Sequence, residues 1–197
     1  MTKPSPQSVN SAVLKKKREL KYNDNIKTLK NVLYHCPKNN KLSEIYLKII
    51  ILNELRSIKV YYPYELAKHI YELKIDKKLK KKELDIVEQI ANIKINNNVK
   101  KYYVFATKYC SWHNSKFYPM FDSYVEKALK AYRKKGEKKY NRDNSFFNFK
   151  NDDLKNYKNF VNIIKNFKSQ FGLNRIGLIK IDCFLWKEGE RIKKEKK

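Results

Sequence analysis

A chain of 197 residues is long enough to bury a hydrophobic core without disulfide or metal cross-links. Its 46 Lys and Arg against 20 Asp and Glu give a formal net charge of +26, which favours a polyanionic partner, above all nucleic acid. The most apolar run, Ile45 to Leu52, is short and contains Lys48, so the sequence excludes a membrane-spanning helix. An AT-rich genome would also enrich Lys and Asn, but that bias alone does not leave acidic residues so scarce.

The cysteines and the N-terminus indicate the compartment. Cys36, Cys110 and Cys183 are odd in number and scattered, which is typical of reduced thiols rather than a disulfide framework. The N-terminus lacks the apolar core of a signal peptide. We therefore expect a cytoplasmic protein.

Both ends of the chain are basic. Residues 1–25 contain Pro4, Pro6 and the run Lys15–Arg18, and this composition predicts a flexible basic arm, in part helical. The lysine-rich residues 191–197 predict a second basic tail. Between them, residues 26–190 are expected to form one helical domain.

Apolar residues recur at helical spacing in the intervening chain, and no strand pattern of comparable strength occurs. The predicted fold class is therefore all-α. A short polar connection at 94–98 should join two helices as a hairpin, Ser123 and Glu126 form a capping-box pattern, and Gly172 and Gly189 should end the last two helices. The predicted helices lie near residues 42–53, 63–71, 84–91, 99–110, 122–132, 154–167 and 178–186.

Several kinds of chemistry lack a supporting pattern. Cys110 and His113 have the spacing of metal ligands, but no second pair completes a zinc site, so we expect no metal and no cofactor. The chain has no glycine-rich phosphate loop and no nucleophile elbow. A nuclease has little support, because Asp76, Asp85 and the pair Asp152–Asp153 lack the spacing of a metal cluster.

Asp122 is the residue that stands out. It lies between an aromatic loop-like stretch and a predicted helix start, where the helix dipole favours an ionised carboxylate. Either Asp122 is only a helix cap, or it is a catalytic carboxylate.

The segment that ends at Asp122 resembles the helix-hairpin-helix DNA glycosylases. Residues 103–114 and 118–125 are similar to the stretch that runs from the hairpin helix of those enzymes to their active-site aspartate, and Met120–Val125 follows their apolar-Asp-small-x-Val pattern. Shorter similarities at 52–57, 67–70 and 181–186 extend the resemblance loosely over residues 42–189. The family's Leu-Pro-Gly-x-Gly hairpin is replaced by Ile95–Val99, and its four-cysteine iron–sulfur motif is absent.

The resemblance implies roles for particular residues. Asp122 would be the catalytic carboxylate. A lysine would be the second catalytic group, where Lys100 and Lys101 match by position and Lys108 is a further candidate, unless these lysines face phosphate instead. The aromatic residues near Asp122 would form the base pocket, or else belong to the core. The implied base-pocket residues are Trp112, Tyr118 and Phe121, and the implied DNA contacts are Asn53, Arg56, Asn97, Asn98 and Lys100.

The expected function is therefore a monomeric DNA glycosylase. It would flip a damaged or modified base out of double-stranded DNA and cleave its N-glycosidic bond, in repair or in defence against phage with modified DNA. Attack by a lysine would add abasic-site lyase activity. The alternative is a non-catalytic helical protein that binds DNA or RNA.

Overall fold

The computed structural model describes residues 1–137 and 146–195, and these are mostly helical, as the sequence predicts. Residues 138–145, and residues 196–197 of the predicted basic tail, lie outside the described residues. The elements in chain order are α1 (Pro6–Lys17), α2 (Leu20–His35), α3 (Leu42–Arg56), α4 (Pro63–Leu73), α5 (Asp76–Lys81), α6 (Asp85–Ala91), β1 (Asn92–Ile95), β2 (Asn98–Lys101), α7 (Tyr103–His113), α8 (Ser123–Glu137), a 3₁₀ turn (Asp152–Lys155), α9 (Tyr157–Gln170) and α10 (Leu178–Lys194).

The chain divides into two compact units. Residues 1–18 and 119–197 form one of them, which we call the terminal unit. Residues 19–118 form the other, the central unit. The predicted N-terminal arm is thus shared between the two.

Helix formation begins inside the segment that the sequence indicates to be a flexible arm. Helix α1 starts at Pro6, and the side chains of Ser5 and Ser8 form a capping box that pairs backbone N–H groups at its first turn. The helix packs on α10, and its Val9 is fully buried. The segment is poor in apolar residues but still forms a helix, because its capping box pairs the first backbone N–H groups and Val9 packs against α10.

The last helix does not end at Gly189, so that prediction is wrong. Helix α10 continues to Lys194 and includes the first residues of the predicted basic tail. A Cβ atom at Gly189 would lie 2.0 Å from the carbonyl oxygen of Tyr124 in α8. Gly189 is needed for the close approach of α10 to α8, and it does not act as a helix stop.

The core of the central unit is formed by the apolar faces of its helices. Helix α3 packs against α4, and α6 packs against α7. The stripes predicted from the sequence supply these contacts. Their fully buried members include Ile45, Ile49, Leu66, Ala67, Ile70, Val87, Ile90 and Ala106.

The connection between α6 and α7 is an antiparallel pair of strands, which the sequence analysis did not predict. Asn96 and Asn97 both have positive φ, at 47° and 63°, which is the backbone of a tight two-residue hairpin turn that Asn favours. Ile93 and Ile95 on β1 are buried. Four residues per strand are too few to show a clear alternation, so the helix predicted from Val99 begins only at Tyr103.

Candidate functional site

Asp122 caps helix α8 in the terminal unit. Its Oδ1 accepts hydrogen bonds from the backbone N–H groups of Tyr124 and Val125, both at 3.0 Å. The predicted capping box of Ser123 and Glu126 is wrong, since Ser123 is already helical and the Glu126 carboxylate pairs with Lys130 at 2.6 Å. Of the two roles considered for Asp122, its geometry shows that of a helix cap.

The aromatic residues expected to form a base pocket all have packing roles. The Trp112 indole donates to the carbonyl of Leu29 at 3.1 Å, within the central unit. Tyr118 is fully buried in the same unit, and its hydroxyl donates to the carbonyl of Glu83 at 3.1 Å. Phe121 belongs to the terminal unit, where its ring meets the edge of Phe160. Tyr118 and Phe121 are therefore core residues of different units.

The candidate lysines all lie in the central unit, whereas Asp122 lies in the terminal unit. Lys101 is on β2, with its Nζ 3.3 Å from the Glu88 carboxylate. Lys100 is exposed on the same strand, which begins at Asn98, and Asn97 lies in the hairpin turn before it. Lys108 is half-buried in α7.

Asn53 and Arg56 lie at the end of α3. The Asn53 side chain accepts from the N–H of Val60 at 2.9 Å and donates to its carbonyl at 3.4 Å. This clamp holds the turn between α3 and α4. Arg56 is the last residue of α3 and is half-buried.

The central unit contains a buried polar network that no motif in the sequence predicts. Its hub is Asn39, which is 2% exposed. The Asn39 side-chain oxygen accepts from the Lys48 ammonium at 2.7 Å and from the Tyr109 hydroxyl. Its backbone N–H donates to Oδ2 of Asp76 at 2.8 Å, and its side-chain amide donates to Oδ1 at 2.6 Å. One asparagine thus connects α3, α5 and α7.

Two basic side chains of this region are strongly affected by burial. Lys48 is fully buried, which lowers its pKa to about 8 although nearby Asp76 acts in the opposite direction. Burial, helped by the charge of Lys48, lowers the pKa of His113 to about 3, so its imidazole is neutral. His113 Nε2 is buried without a hydrogen-bond partner among the described residues.

A cleft of about 350 Å³ opens beside the network. Asp76 and His113 line it, and the exposed Lys38 and Lys80 contribute cationic groups. It can admit water or a small polar ligand. The signal that could have found this region is Lys48 itself, a lysine inside the most apolar run of the sequence.

The described residues offer neither a metal site nor a membrane span. No group of three His, Cys, Asp or Glu side chains is arranged to hold a metal ion within residues 1–137 and 146–195. Cys110 is buried, which raises the pKa of its thiol and makes it a poor ligand. None of the helices in this part of the chain is long and apolar enough to cross a bilayer.

The most concentrated positive charge of the central unit lies between α4 and α6. Residues 74–82, which we call the lysine segment, contain six lysines and one acid, Asp76. Five of the six lysines are exposed, and Lys78 is half-buried with its Nζ bonded to Gln89. Because both Asp76 oxygens accept hydrogen bonds from Asn39, the acid is turned into the network rather than toward these lysines.

These features define a mostly helical, strongly basic protein of two units, and comparison with known proteins assigns it to a family. The family model HI_0787_N, described as an N-terminal domain, matches residues 8–117. A protein of Haemophilus influenzae, named only "Uncharacterized protein", is 35% identical over 145 residues, which cover 73% of this chain and 65% of that protein. The chain therefore belongs to the HI_0787_N family, and it spans about 65% of the length of this relative.

No solved structure matches the chain. The family match contains Asn39, Lys48 and Asp76 as well as the β1–β2 hairpin, and it ends before Asp122.

Proposed function

We propose that this protein binds nucleic acid, with the lysine segment as a principal contact. The observation that carries the proposal is the exposure of five lysines within residues 74–82, where the one acid is engaged by Asn39. Lysines in such an array neutralise phosphates and release condensed counterions, which gives strong, salt-dependent binding without sequence preference.

The test replaces three exposed lysines of this segment, in the variant Lys77→Gln, Lys80→Gln, Lys81→Gln. Affinity for a duplex DNA fragment is measured at several salt concentrations. If each lysine contacts one phosphate, the slope of log affinity against log salt should fall in magnitude by about 3. The matched control is Lys158→Gln, Lys165→Gln, Lys180→Gln, which removes the same charge from exposed positions of the terminal unit.

Equal slopes for the two variants would contradict the role of the lysine segment. Absence of salt-dependent binding to duplex DNA, single-stranded DNA and RNA by the unaltered protein would contradict nucleic-acid binding altogether. Binding to anionic lipid vesicles in the absence of nucleic-acid binding would identify a different polyanion.

A second candidate function is base excision at Asp122. The observation that favours it is the position of this carboxylate at the first turn of α8, directly after the loop, which is where the resemblance to helix-hairpin-helix glycosylases puts the catalytic aspartate. There it would stabilise positive charge on the sugar or activate a water. DNA would be the substrate, and repair or defence against modified phage DNA the purpose.

Asp122→Asn separates this chemistry from the cap. Asn retains an oxygen acceptor for the two backbone N–H groups, so the fold and the DNA affinity should persist. Base release from a panel of duplexes with damaged or phage-type modified bases, detected as alkali-labile strand breaks, should be abolished. Unchanged base release by this variant would exclude Asp122 as the catalytic carboxylate. If the unaltered protein releases no base, base excision is excluded and nucleic-acid binding is the remaining proposal.

A lysine nucleophile has its own signature. Borohydride traps a Schiff base between a lysine and the abasic sugar as a covalent adduct. If Lys101 or Lys108 is that nucleophile, Lys101→Gln or Lys108→Gln should remove the adduct. Base release without any adduct would assign the reaction to Asp122 and water.

A further inference from the structure

The β1–β2 hairpin, which we call the ribbon, packs one face of β1 on the central unit and leaves its turn and β2 exposed. Ile93 and Ile95 are buried, and Tyr102 closes the base by donating its N–H to the carbonyl of Ala91 at 2.8 Å. All four residues of β2 are exposed, and Val99 is 63% exposed. The two positive-φ residues of the turn pin the register, so the exposed end is presented in one conformation.

The dimensions of the ribbon match a groove of duplex DNA. Two paired strands lie about 4.8 Å apart, and four residues extend about 13 Å. The major groove of B-form DNA is about 12 Å wide and about 8.5 Å deep, and it admits a two-stranded β-ribbon. The minor groove, about 6 Å wide, is too narrow for both strands.

The exposed side chains have the chemistry that this groove requires. Lys94 and Val99 are paired across the strands and so share one face, while Asn96 and Asn97 form the tip. Asn side chains pair with adenine edges, Lys contacts guanine edges or phosphate, and an apolar side chain contacts the thymine methyl group. No acidic residue occurs between Gln89 and Tyr102, and Glu88 at the base pairs with Lys101.

We infer that the ribbon enters the major groove of duplex DNA and contacts base edges through its tip, an inference that rests on the proposed nucleic-acid binding. The lysine segment would supply affinity without sequence preference. The ribbon would add the preference for duplex and for sequence.

The first experiment tests the groove. Affinity is measured for a plain duplex, for the same duplex with glucosylated 5-hydroxymethylcytosine, which fills the major groove, and for the plain duplex saturated with netropsin, which fills the minor groove. We expect the glucosylated duplex to bind about tenfold more weakly and netropsin to have little effect, since the ribbon would lose its contacts only in the first case. Equal affinity for the plain and glucosylated duplexes would overturn the inference.

The second experiment tests the side chains. Lys94→Gln with Lys100→Gln should weaken duplex binding more than the control Lys158→Gln with Lys165→Gln, which removes the same charge from the terminal unit. Asn97→Gly gives the turn the sequence Asn-Gly, which is favoured in such hairpins, so the turn is retained while the Asn97 side chain is removed. Selection from a duplex library with a randomised centre should give a sequence preference for the unaltered protein and a weaker one for Asn97→Gly, at similar overall affinity.

The outcomes separate this inference from the proposed function. Failure of the unaltered protein to bind any nucleic acid overturns both. Salt-dependent binding that depends on the lysine segment, with ribbon variants indistinguishable from their control, overturns the ribbon alone. A change in oligomeric state on ribbon substitution, with DNA binding unchanged, would instead assign the exposed β2 edge to pairing with a second copy of the chain.

Discussion

Two aspartates, one in each unit, show how differently the same side chain can be used. Asp122 uses a single oxygen, Oδ1, to accept both backbone N–H groups of its helix cap. Asp76 uses both oxygens, one for the backbone N–H of Asn39 and one for its side-chain amide. Asp122 is held by its own helix, whereas Asp76 connects α5 to a loop that precedes α3.

The difference lies in what each side chain organises. A helix cap is a local device that many sequences provide, and its loss affects one helix end. The Asp76 contacts hold Asn39, and Asn39 in turn holds the buried ammonium of Lys48 and the hydroxyl of Tyr109. The more conspicuous aspartate in the sequence therefore caps a single helix, whereas the less conspicuous one holds together segments that are distant in the chain.

The largest expected effect is that of Asp76→Ala. It leaves two donors of the nearly fully buried Asn39 without acceptors, and each such donor costs about 1–3 kcal/mol. We expect the free energy of unfolding to fall by about 3 kcal/mol, measured by urea denaturation at pH 7. A loss below about 1 kcal/mol would mean that water replaces the carboxylate and that the contacts of Asn39 do not depend on Asp76.

Substitution by Asn should separate the two sites more sharply. Asn has one acceptor oxygen, which suffices for the Asp122 cap but not for the two Asp76 contacts, where its NH₂ would face a donor. We expect Asp76→Asn to cost about 2 kcal/mol and Asp122→Asn no more than a few tenths. Equal losses in urea denaturation would contradict this distinction.

The sequence predicts the helices better than it predicts their surroundings. The apolar stripes of α3, α4, α6 and α9 follow from periodicity, because burial of one face is a local pattern. The continuation of α10 through Gly189 was not predictable, since it depends on the backbone of Tyr124, far away in the chain. The same holds for α1, whose partner is the distant α10.

The Asp122 cap and the Asn39 network also differ in whether neighbouring residues predict them. A cap such as Asp122 can be predicted from a few neighbouring residues, although the capping-box pattern of Ser123 and Glu126 points to the wrong side chain. The Asn39 network joins residues up to 70 positions apart in sequence, so no local motif describes it. The local signal is Lys48, because a lysine within an apolar run of a core helix requires a polar partner.

The pH dependence of stability should reveal the buried Lys48. Its pKa is about 8 in the folded protein, below the ordinary value of about 10.4 in an unfolded chain. Between these values the unfolded state binds more protons, so folding becomes more favourable as pH rises. The unaltered protein should gain about 1.5 kcal/mol relative to Lys48→Met between pH 8 and 9.5. Parallel stability curves for the two proteins would show that the Lys48 ammonium is not desolvated.

The smallest expected effect is that of Asp122→Ala. It removes the acceptor of two N–H groups at the start of α8, and loss of such a cap costs about 1 kcal/mol. Thermal unfolding should therefore show a modest decrease in Tm for Asp122→Ala and almost none for Asp122→Asn. If both variants instead have the Tm of the unaltered protein, the cap contributes nothing to stability, which would favour a functional role for the Asp122 carboxylate. If both destabilise the protein by several kcal/mol, Asp122 has contacts beyond its cap, and the contrast with Asp76 disappears.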